Sequence, residues 1–460
     1  MLFWLIKLFM VAVVFDGVIM IALFQMPGAV QTLLKFWRDE FILLILGVYA
    51  LWTLRAGRVQ LATPRGLIVT WVLIMAIGFL GVLVGRARGT VDPAQTIALL
   101  RMVYMFALLF GVLVMPPRQV PQGMEKGLFG WLGAALVIAV AAGCVQWLRP
   151  EAWMGNAWVS RAADEGVIEV QTIEGYLRPA GTLGSTMQFG DFCAVMLVLT
   201  LTWVLFQRKR RLVVGFLFLL SALGLAMSTV RSAMMVGAVG MAYVTIVRLR
   251  VMRGAAFRVA LGTVLALVAI TVPFVMGQMK EQKPRSVSIS GAYMSSDSLD
   301  DRFENWNKAW QRVESSADFL FGLGTGAVGG ARRGLGDRQG VFEFNPVDNY
   351  YLLVLVNHGL IGVVIWGAFV LQLLWLLTRA SLARTESQWF LNAAVAVLLG
   401  YFVDGMFRIQ LRTTFDAAAF WVLMGIAAVR AREVLREREP ITSNASVPAP
   451  TDTAVLPGGA

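Results

Sequence analysis

Apolar residues dominate this chain in blocks of roughly twenty, separated by short polar or basic breaks. About twenty helical residues cross the ~30 Å of hydrocarbon in a bilayer, so each block reads as one membrane span. The pattern predicts about twelve spans, at 2–25, 41–54, 67–85, 96–115, 128–148, 188–206, 212–228, 231–247, 259–277, 350–377, 390–407 and 414–430. The first block, MLFWLIKLFMVAVVFDGVIMIALF, has neither a basic leader nor a small-residue cleavage site, so it is expected to be retained as a span. Two segments between spans are longer than the rest, 149–187 and 278–349. The second spans 72 residues and holds most of the polarity outside the blocks. The tail 439–460, EPITSNASVPAPTDTAVLPGGA, cannot bury a core and is expected to be disordered. The expected organisation is therefore an all-α, polytopic transmembrane helix bundle over 1–438. A large loop containing short helices lies within it at 278–349, and a cytoplasmic tail follows.

Composition supports the same class. Of 460 residues 58% are hydrophobic and 15% charged, with a mean hydropathy of +0.70. Ordinary soluble domains carry about 25% charge. The net charge of +12 does not point to nucleic acid, because the basic residues cluster between spans: QRKRR at 207–211, RLRVMRGAAFR at 248–258 and RAREVLRER at 430–438. Lys and Arg are retained on the cytoplasmic side. That rule places both termini inside and the two long segments, 149–187 and 278–349, outside. The two cysteines, Cys144 and Cys193, lie in apolar context and read as packing residues, not a disulfide. One histidine and two cysteines exclude an ordinary His/Cys zinc site and argue against haem. No Asp/Glu cluster suits a divalent ion, so neither metal nor cofactor is expected.

One arginine interrupts the otherwise uncharged 36 residues from Leu212 to Val247: Arg231, in STVRSAMM. A helix of that length would extend roughly 54 Å, well past one bilayer, so the run must fold back. STVR lies near its midpoint, and Ser228 and Thr229 can cap the new helix. Arg231 then opens the eighth span at the outer face. A guanidinium so close to hydrocarbon needs a partner or a cavity. The alternative is an arginine that simply reaches up to lipid headgroups.

The outer segments add candidates. GYLRPAGTLGSTMQFGDF sets Arg178 between glycines just before the sixth span. SSDSLDDRFENWNKAWQRV reads as an amphipathic helix with Ser298 as N-cap, Asp300 and Asp301 at its positive end, and Phe303, Trp306, Trp310 and Val313 as one apolar stripe. Such a helix suits the outer leaflet or the top of the bundle. Arg302 opens it on the polar side, where a plain solvated position is the alternative. FLFGLGTGAVGG contains G-x-G-x-x-G at Gly324, Gly326 and Gly329. With no strand–helix context for a dinucleotide site, it is expected to be a close-approach backbone loop. Asp348, Asn349 and Tyr350 stand where the large loop becomes the tenth span, and there a carboxylate can be an ordinary helix cap. His358 falls about 15 Å further along that helix, where a satisfied core histidine is the plainer reading. Asp16, Arg101 and Asp404 lie within or at the edges of predicted spans.

Four stretches together resemble the O-antigen ligase and Wzy-type O-antigen polymerase superfamily of bacterial membrane glycosyltransferases: LRPAGTLGSTMQFGDF at 177–192, STVRSAMMVG at 228–237, RFENWNKAWQRV and FLFGLGTG between 302 and 326, and DNYYLLVLVNHGLIG at 348–362. Their order, and the long loop before the last, also match. The resemblance implies a GT-C-like fold in the inner membrane, with the site facing the periplasm. It implies a glycan donor on undecaprenyl pyrophosphate, a glycan or lipid acceptor, and flippase and chain-length regulator proteins as partners. Matched by motif, the arginines that hold the donor would be Arg178, Arg231 and Arg302. Guanidinium forks suit a pyrophosphate because they bind its oxygens bidentately and stay charged. Ligases of the family carry a histidine before the asparagine of the last motif; here that position is Asp348, which as a carboxylate can still act as general base. A glutamate often found before GLIG in the family is Asn357 here.

Three readings follow. In the first, a polymerase of O-antigen or exopolysaccharide repeat units, Arg231, Arg302 and Asp348 are catalytic, while Arg178, Asn349, Tyr350, Trp306 and His358 contact substrate. Transfer is inverting and metal-independent. In the second, a ligase, the same chemistry delivers the glycan to lipid A core of lipopolysaccharide or to a protein. In the third, a flippase or transporter, the in-span charges Asp16, Arg101 and Asp404 mark a pathway. The 72-residue external loop and the absence of an obvious two-fold repeat in hydropathy count against the third.

Overall fold

The computed structural model describes residues 1–26, 36–89, 100–164, 168, 171–173, 176–251, 300–313, 316–327, 349–408, 411 and 413–438. The order of elements is α1 Leu2–Val14, α2 Asp16–Phe24, α3 Trp37–Ala56 and α4 Arg65–Ala87, then a π-helical turn Leu100–Tyr104, α5 Ala107–Val114 and α6 Met124–Leu148. The segment after α6 folds as two short helices, α7 Pro150–Met154 and α8 Ala157–Asp164, and a two-stranded antiparallel ribbon. The ribbon strands are β1 Gln171–Ile173 and β2 Tyr176–Arg178, with Gln171 opposite Arg178. Then come α9 Thr186–Phe206, α10 Arg211–Ser228, α11 Arg231–Val251, α12 Asp300–Arg312, α13 Ser316–Phe321, α14 Tyr350–Ser381, α15 Gln388–Asp404 and α16 Thr414–Arg436.

The chain is an all-α polytopic membrane protein. Among the described residues seven helices are long and apolar enough to cross a bilayer, or eight if α1 and α2, bent by 74° at their junction, form one broken span. The expected twelve differ for identifiable reasons. The block at 96–115 is not one helix but a π-helical turn and the eight-residue α5. The block at 41–54 is the core of α3, which starts earlier and takes in Arg38, Asp39 and Glu40. The α15 helix is apolar but has 17 residues. The block at 259–277 and the tail at 439–460 lie outside the described residues.

Helices that are apolar all round carry no amphipathic stripe to aim them, so small residues decide which faces meet. A Cβ at Gly190 of α9 would meet Ser228, Val230 and Ala233, and one at Gly224 of α10 would meet Cys193 of α9. Gly240 of α11 and Gly400 of α15 seat against Val198 and Val236. The membrane-spanning part of α16 is enclosed by the bundle, and among the candidate spans α9 is the next most buried. By contrast α10 exposes Leu212, Phe216, Leu219 and Leu223 along one face, the stripe that meets acyl chains. Both cysteines are free.

One end of the bundle is braced by charges. Arg430 of α16 donates from Nε to Glu125 of α6 at 3.0 Å and pairs with Glu433 at 2.6 Å, while Ser387 also donates to Glu125. Lys126 pairs with Glu386 at 2.6 Å, and Arg432 donates to the carbonyls of Leu61 and Thr63. The starts of α9, α11, α14 and α16 and the ends of α4, α6, α10 and α15 lie at the opposite end, which holds the candidate site.

Candidate active site

The site end is organised around two interrupted spans, each answered by a glycine- and threonine-containing segment. In lipid, non-helical backbone is tolerated only where protein satisfies it. At the α1–α2 break, Thr182 Oγ1 donates to the Val14 carbonyl at 2.7 Å, and the Thr182 carbonyl accepts from the Gly17 N–H at 2.9 Å. Gly17 and Gly184 touch so closely that a Cβ on either would overlap the other's backbone. Gln146 of α6 holds the same loop from the other side. Its Oε1 accepts from the N–H groups of Ala180 and Gly181, and its Nε2 donates to the Gly181 carbonyl at 2.8 Å. Ser185 then caps α9 by accepting from the Gln188 N–H. These contacts fix the strand that carries Arg178.

Arg178 reaches across to the end of α10. Its Nε and Nη2 donate to the Ser228 carbonyl at 3.1 and 3.0 Å, and its Nη1 donates to Gln171 Oε1 at 2.9 Å. The guanidinium thus caps a helix C-terminus whose carbonyls lack intrahelical partners. The fold-back expected at STVR is present. Thr229 adopts the left-handed conformation, with φ of 52°, and the Val230 N–H donates to Ser228 Oγ at 3.3 Å. The expected cap by Thr229 is not made: its buried hydroxyl has no partner among the described residues. Arg231 is the first residue of α11 and is exposed. Arg178 and Arg231, 53 positions apart in sequence (231 − 178), are therefore brought to one turn. Beside Arg178 a crevice opens between α2, α6 and the first loop, lined by Val18, Ile21, Trp153, Ile168 and Leu177.

Arg302 belongs to α12, which packs against α14; its side chain, like all of Ser298, lies outside the described residues. The expected stripe on α12 needs correction. The buried positions are Ala309 and Val313 with part of Trp306, while Phe303 and Trp310 are 60% and 47% exposed. Positions 306, 309 and 313 form the true i, i+3, i+7 face, and its centre is an alanine that a search for large apolar residues passes over. The two exposed aromatics lie on the adjoining flank, where Phe303 meets Trp306 and Trp310 meets Phe319 edge to face.

Asp348 lies outside the described residues. The side-chain cap of α14 is Asn349, whose Oδ1 accepts from the Leu352 N–H at 3.0 Å. Tyr350 follows, with its N–H donating to the Gly405 carbonyl at 2.8 Å, its ring against Trp366, and its buried hydroxyl without a partner among the described residues. His358 is 6% exposed, and its Nε2 sits 2.7 Å from the Tyr104 hydroxyl. One ring nitrogen is thus partnered inside the bundle, while the buried Nδ1 has no hydrogen-bond partner among the described residues. The α14 helix breaks just after it, at Gly359 (φ 67°, ψ −169°). Here the second glycine-rich segment answers the break. The N–H groups of Leu323 and Gly324 donate to the carbonyls of Val356 and Asn357, and Thr325 bonds to Gly78 and Gly81 of α4 through Oγ1 and N–H. Gly322, Gly324 and Gly326 all have positive φ, and a Cβ at Gly324 would strike the backbone of Gly85. The glycines of FLFGLGTG are thus a close-approach loop; Gly329 lies outside the described residues.

A buried charge cluster was not expected. Arg408 pairs with Asp191 of α9 at 2.7 Å, Asp416 of α16 at 3.1 Å and Asp404 of α15 at 3.2 Å, and all three carboxylates are fully enclosed. The sequence signal existed, since Asp191, Asp404 and Asp416 each stand alone in apolar helix, but only the fold reveals one shared partner. Asp16 is likewise bound by Arg38 and by the Trp37 indole, and Arg101 by Asp39. The in-span charges Asp16, Arg101 and Asp404 are therefore local ion pairs within the bundle. Among the described residues no three His, Cys, Asp or Glu side chains are grouped to hold a metal ion; the three aspartates around Arg408 face its guanidinium.

The long apolar helices define a polytopic membrane protein, with Arg178 and Arg231 brought to one turn at one end of it. Residues 216–367 match the family model described as O-antigen ligase. That stretch includes Arg231, α12, the FLFGLGTG loop and the whole DNYYLLVLVNHGLIG motif, and it supports a likeness to the O-antigen ligase/Wzy superfamily over this part of the chain. No curated protein matches the chain.

Proposed function

We propose that the protein polymerises oligosaccharide repeat units carried on undecaprenyl pyrophosphate at the periplasmic face of the inner membrane. The observation that carries this reading is the contact of Arg178 with the Ser228 carbonyl, which sets Arg178 and Arg231 at one turn on one end of the bundle. Two guanidiniums at a membrane rim suit a diphosphate, whose oxygens accept paired, charge-assisted hydrogen bonds. Arg302 on α12 is the third member. The apolar residues Val18, Ile21 and Trp153 beside Arg178 suit contact with the start of a prenyl chain.

In this mechanism the arginines stabilise charge that develops on the leaving pyrophosphate as the donor C1–O bond breaks. Asp348 accepts the proton of the acceptor hydroxyl, whose oxygen forms the new bond to C1 from the opposite face, inverting that carbon. Undecaprenyl pyrophosphate leaves. Asn349 holds the start of α14, where Tyr350 and His358 pack inside the bundle behind the acceptor side and Trp306 of α12 flanks it. The expected outcome of Arg231→Ala or Asp348→Ala, expressed in a deletion strain, is loss of long glycan. Normal chain length with both variants overturns the assignment.

The family description favours a second reading, a ligase with lipid A core or a protein as acceptor. Asp348, where ligases have histidine, favours the polymerase. The product separates them. A deletion that leaves single repeat units on the acceptor indicates a polymerase, and one that accumulates long lipid-linked glycan indicates a ligase.

A further inference from the structure

The end of the bundle opposite the candidate site carries a second convergence of guanidiniums that the transfer reaction does not use. The α9–α10 connection is fixed by three contacts: Trp203 Nε1 donates to the Lys209 carbonyl, Arg211 Nε to the Gln207 carbonyl, and Gln207 Nε2 to the Glu386 carbonyl. Arg248 of α11 packs against Phe206, so its guanidinium lies at the start of the connection that carries Arg208 and Arg211. The Arg248 guanidinium lies over the Phe206 ring, 5.3 Å from its centroid, and its Nε is buried without a hydrogen-bond partner. Among the described residues none of the three arginines has a carboxylate partner. Glu386, which the connection touches, is paired with Lys126.

The local backbone adds to the positive charge. Arg210 and Arg211 stand at the N-terminus of α10, which has no acidic residue in its first turn and no side-chain cap. A helix N-terminus favours anions and disfavours cations, so this arrangement lacks its natural counter-charge. Topology requires basic residues on one side, but not that one of them, Arg248, lies over an aromatic ring with its Nε buried and unpartnered beside a connection that carries two more. Immediately beyond, α10 presents Leu212, Phe216, Leu219 and Leu223 to the outside as one continuous apolar face, with Leu212 92% exposed. Basic residues at the start of α10, next to an exposed apolar stripe along the same helix, match a molecule with an anionic head and acyl chains.

We propose that Arg208, Arg211 and Arg248 form a site for the phosphate headgroup of an anionic phospholipid, whose acyl chains lie along α10. The guanidinium of Arg248, oriented by Phe206, makes the forked contact, and Arg208 and Arg211 supply the surrounding field. Each basic group near a phospholipid headgroup contributes roughly a fivefold gain in affinity. The site does not depend on which glycan-transfer reaction the opposite end performs.

The test uses the full chain in nanodiscs of pure phosphatidylcholine, titrated with phosphatidylglycerol and followed by thermal unfolding and by native mass spectrometry of retained lipid. Wild-type protein is expected to be stabilised by phosphatidylglycerol. Arg248→Gln is expected to weaken that response about fivefold, and the Arg208→Gln/Arg211→Gln pair by more. Arg384→Gln, an exposed arginine at the same end, is expected to respond like wild type. Should Arg248→Gln fail to fold in phosphatidylcholine, the paired variant carries the reading. An unchanged response in the folded variants, an equal loss in Arg384→Gln, or the same stabilisation from inorganic phosphate without lipid overturns the proposal.

Discussion

Gly359 shows what one residue decides. Its φ and ψ, 67° and −169°, lie in a region open essentially to glycine alone, where other residues cost about 1–3 kcal/mol. A Cβ there would also meet the Leu320 carbonyl. Gly359→Ala is therefore expected to destabilise the protein by at least that amount and to loosen the FLFGLGTG loop, read as an earlier thermal transition in detergent. A transition unchanged from wild type would show that the break is not required. In sequence, VNHGLIG reads as uninterrupted helix; the glycine is visible but its backbone angles are not, because they are imposed by the loop that docks on it. Arg178 makes a related point. Its fork grips one carbonyl through two nitrogens while a third holds Gln171. Lysine keeps the charge but not the fork, so Arg178→Lys is expected to slow glycan transfer about tenfold, equivalent to ~1.4 kcal/mol in the barrier, when membranes are assayed with lipid-linked substrate. Wild-type rates in that variant would reduce Arg178 to a simple charge.

Among elements, the ends of α9, α15 and α16 are held by the Arg408 cluster. Three carboxylates around one guanidinium leave the cluster short of positive charge, so the two kinds of substitution are expected to differ sharply. Removing the shared cation, as in Arg408→Met, strands buried carboxylates and is expected to cost about 3–5 kcal/mol. Asp404→Asn relieves one of the negative charges and is expected to cost much less. Heating followed by size-exclusion chromatography ranks the two, and an Arg408→Met variant as robust as Asp404→Asn would refute this account. The acids were legible as oddities in apolar helices, yet their meeting was not, since Asp191 and Asp416 lie 225 positions apart (416 − 191). The α12 helix was legible as a helix but not in its facing. Its largest aromatics, Phe303 and Trp310, are exposed, and Ala309 is at the contact with the bundle.

For the whole molecule, the arginines of the candidate site and the basic cluster at 207–211 occupy opposite ends of the bundle. Impermeant maleimide applied to intact spheroplasts is expected to label Trp158→Cys, whose native side chain is 58% exposed at the site end. Lys209→Cys is expected to react only after permeabilisation. The background is Cys144→Ala, because Cys193 is buried and Cys144 only half so. Labelling of both sites from one side would contradict the orientation and with it the proposed function. The sequence by itself determined the class: hydrophobic blocks near bilayer length, basic breaks between them and the fold-back at STVR follow from the thickness of hydrocarbon and the cost of charge within it. It also nominated Arg178, Arg231 and His358, which are local exceptions in otherwise uniform stretches. Only the tertiary structure decided that Arg178 caps the α10 terminus beside Arg231, that two Gly-Thr segments complete two broken spans, and that Arg408 gathers three distant aspartates. Helices apolar on every side carry no record of which neighbour they face, so those meetings are set by packing and by hydrogen bonds across long sequence separations.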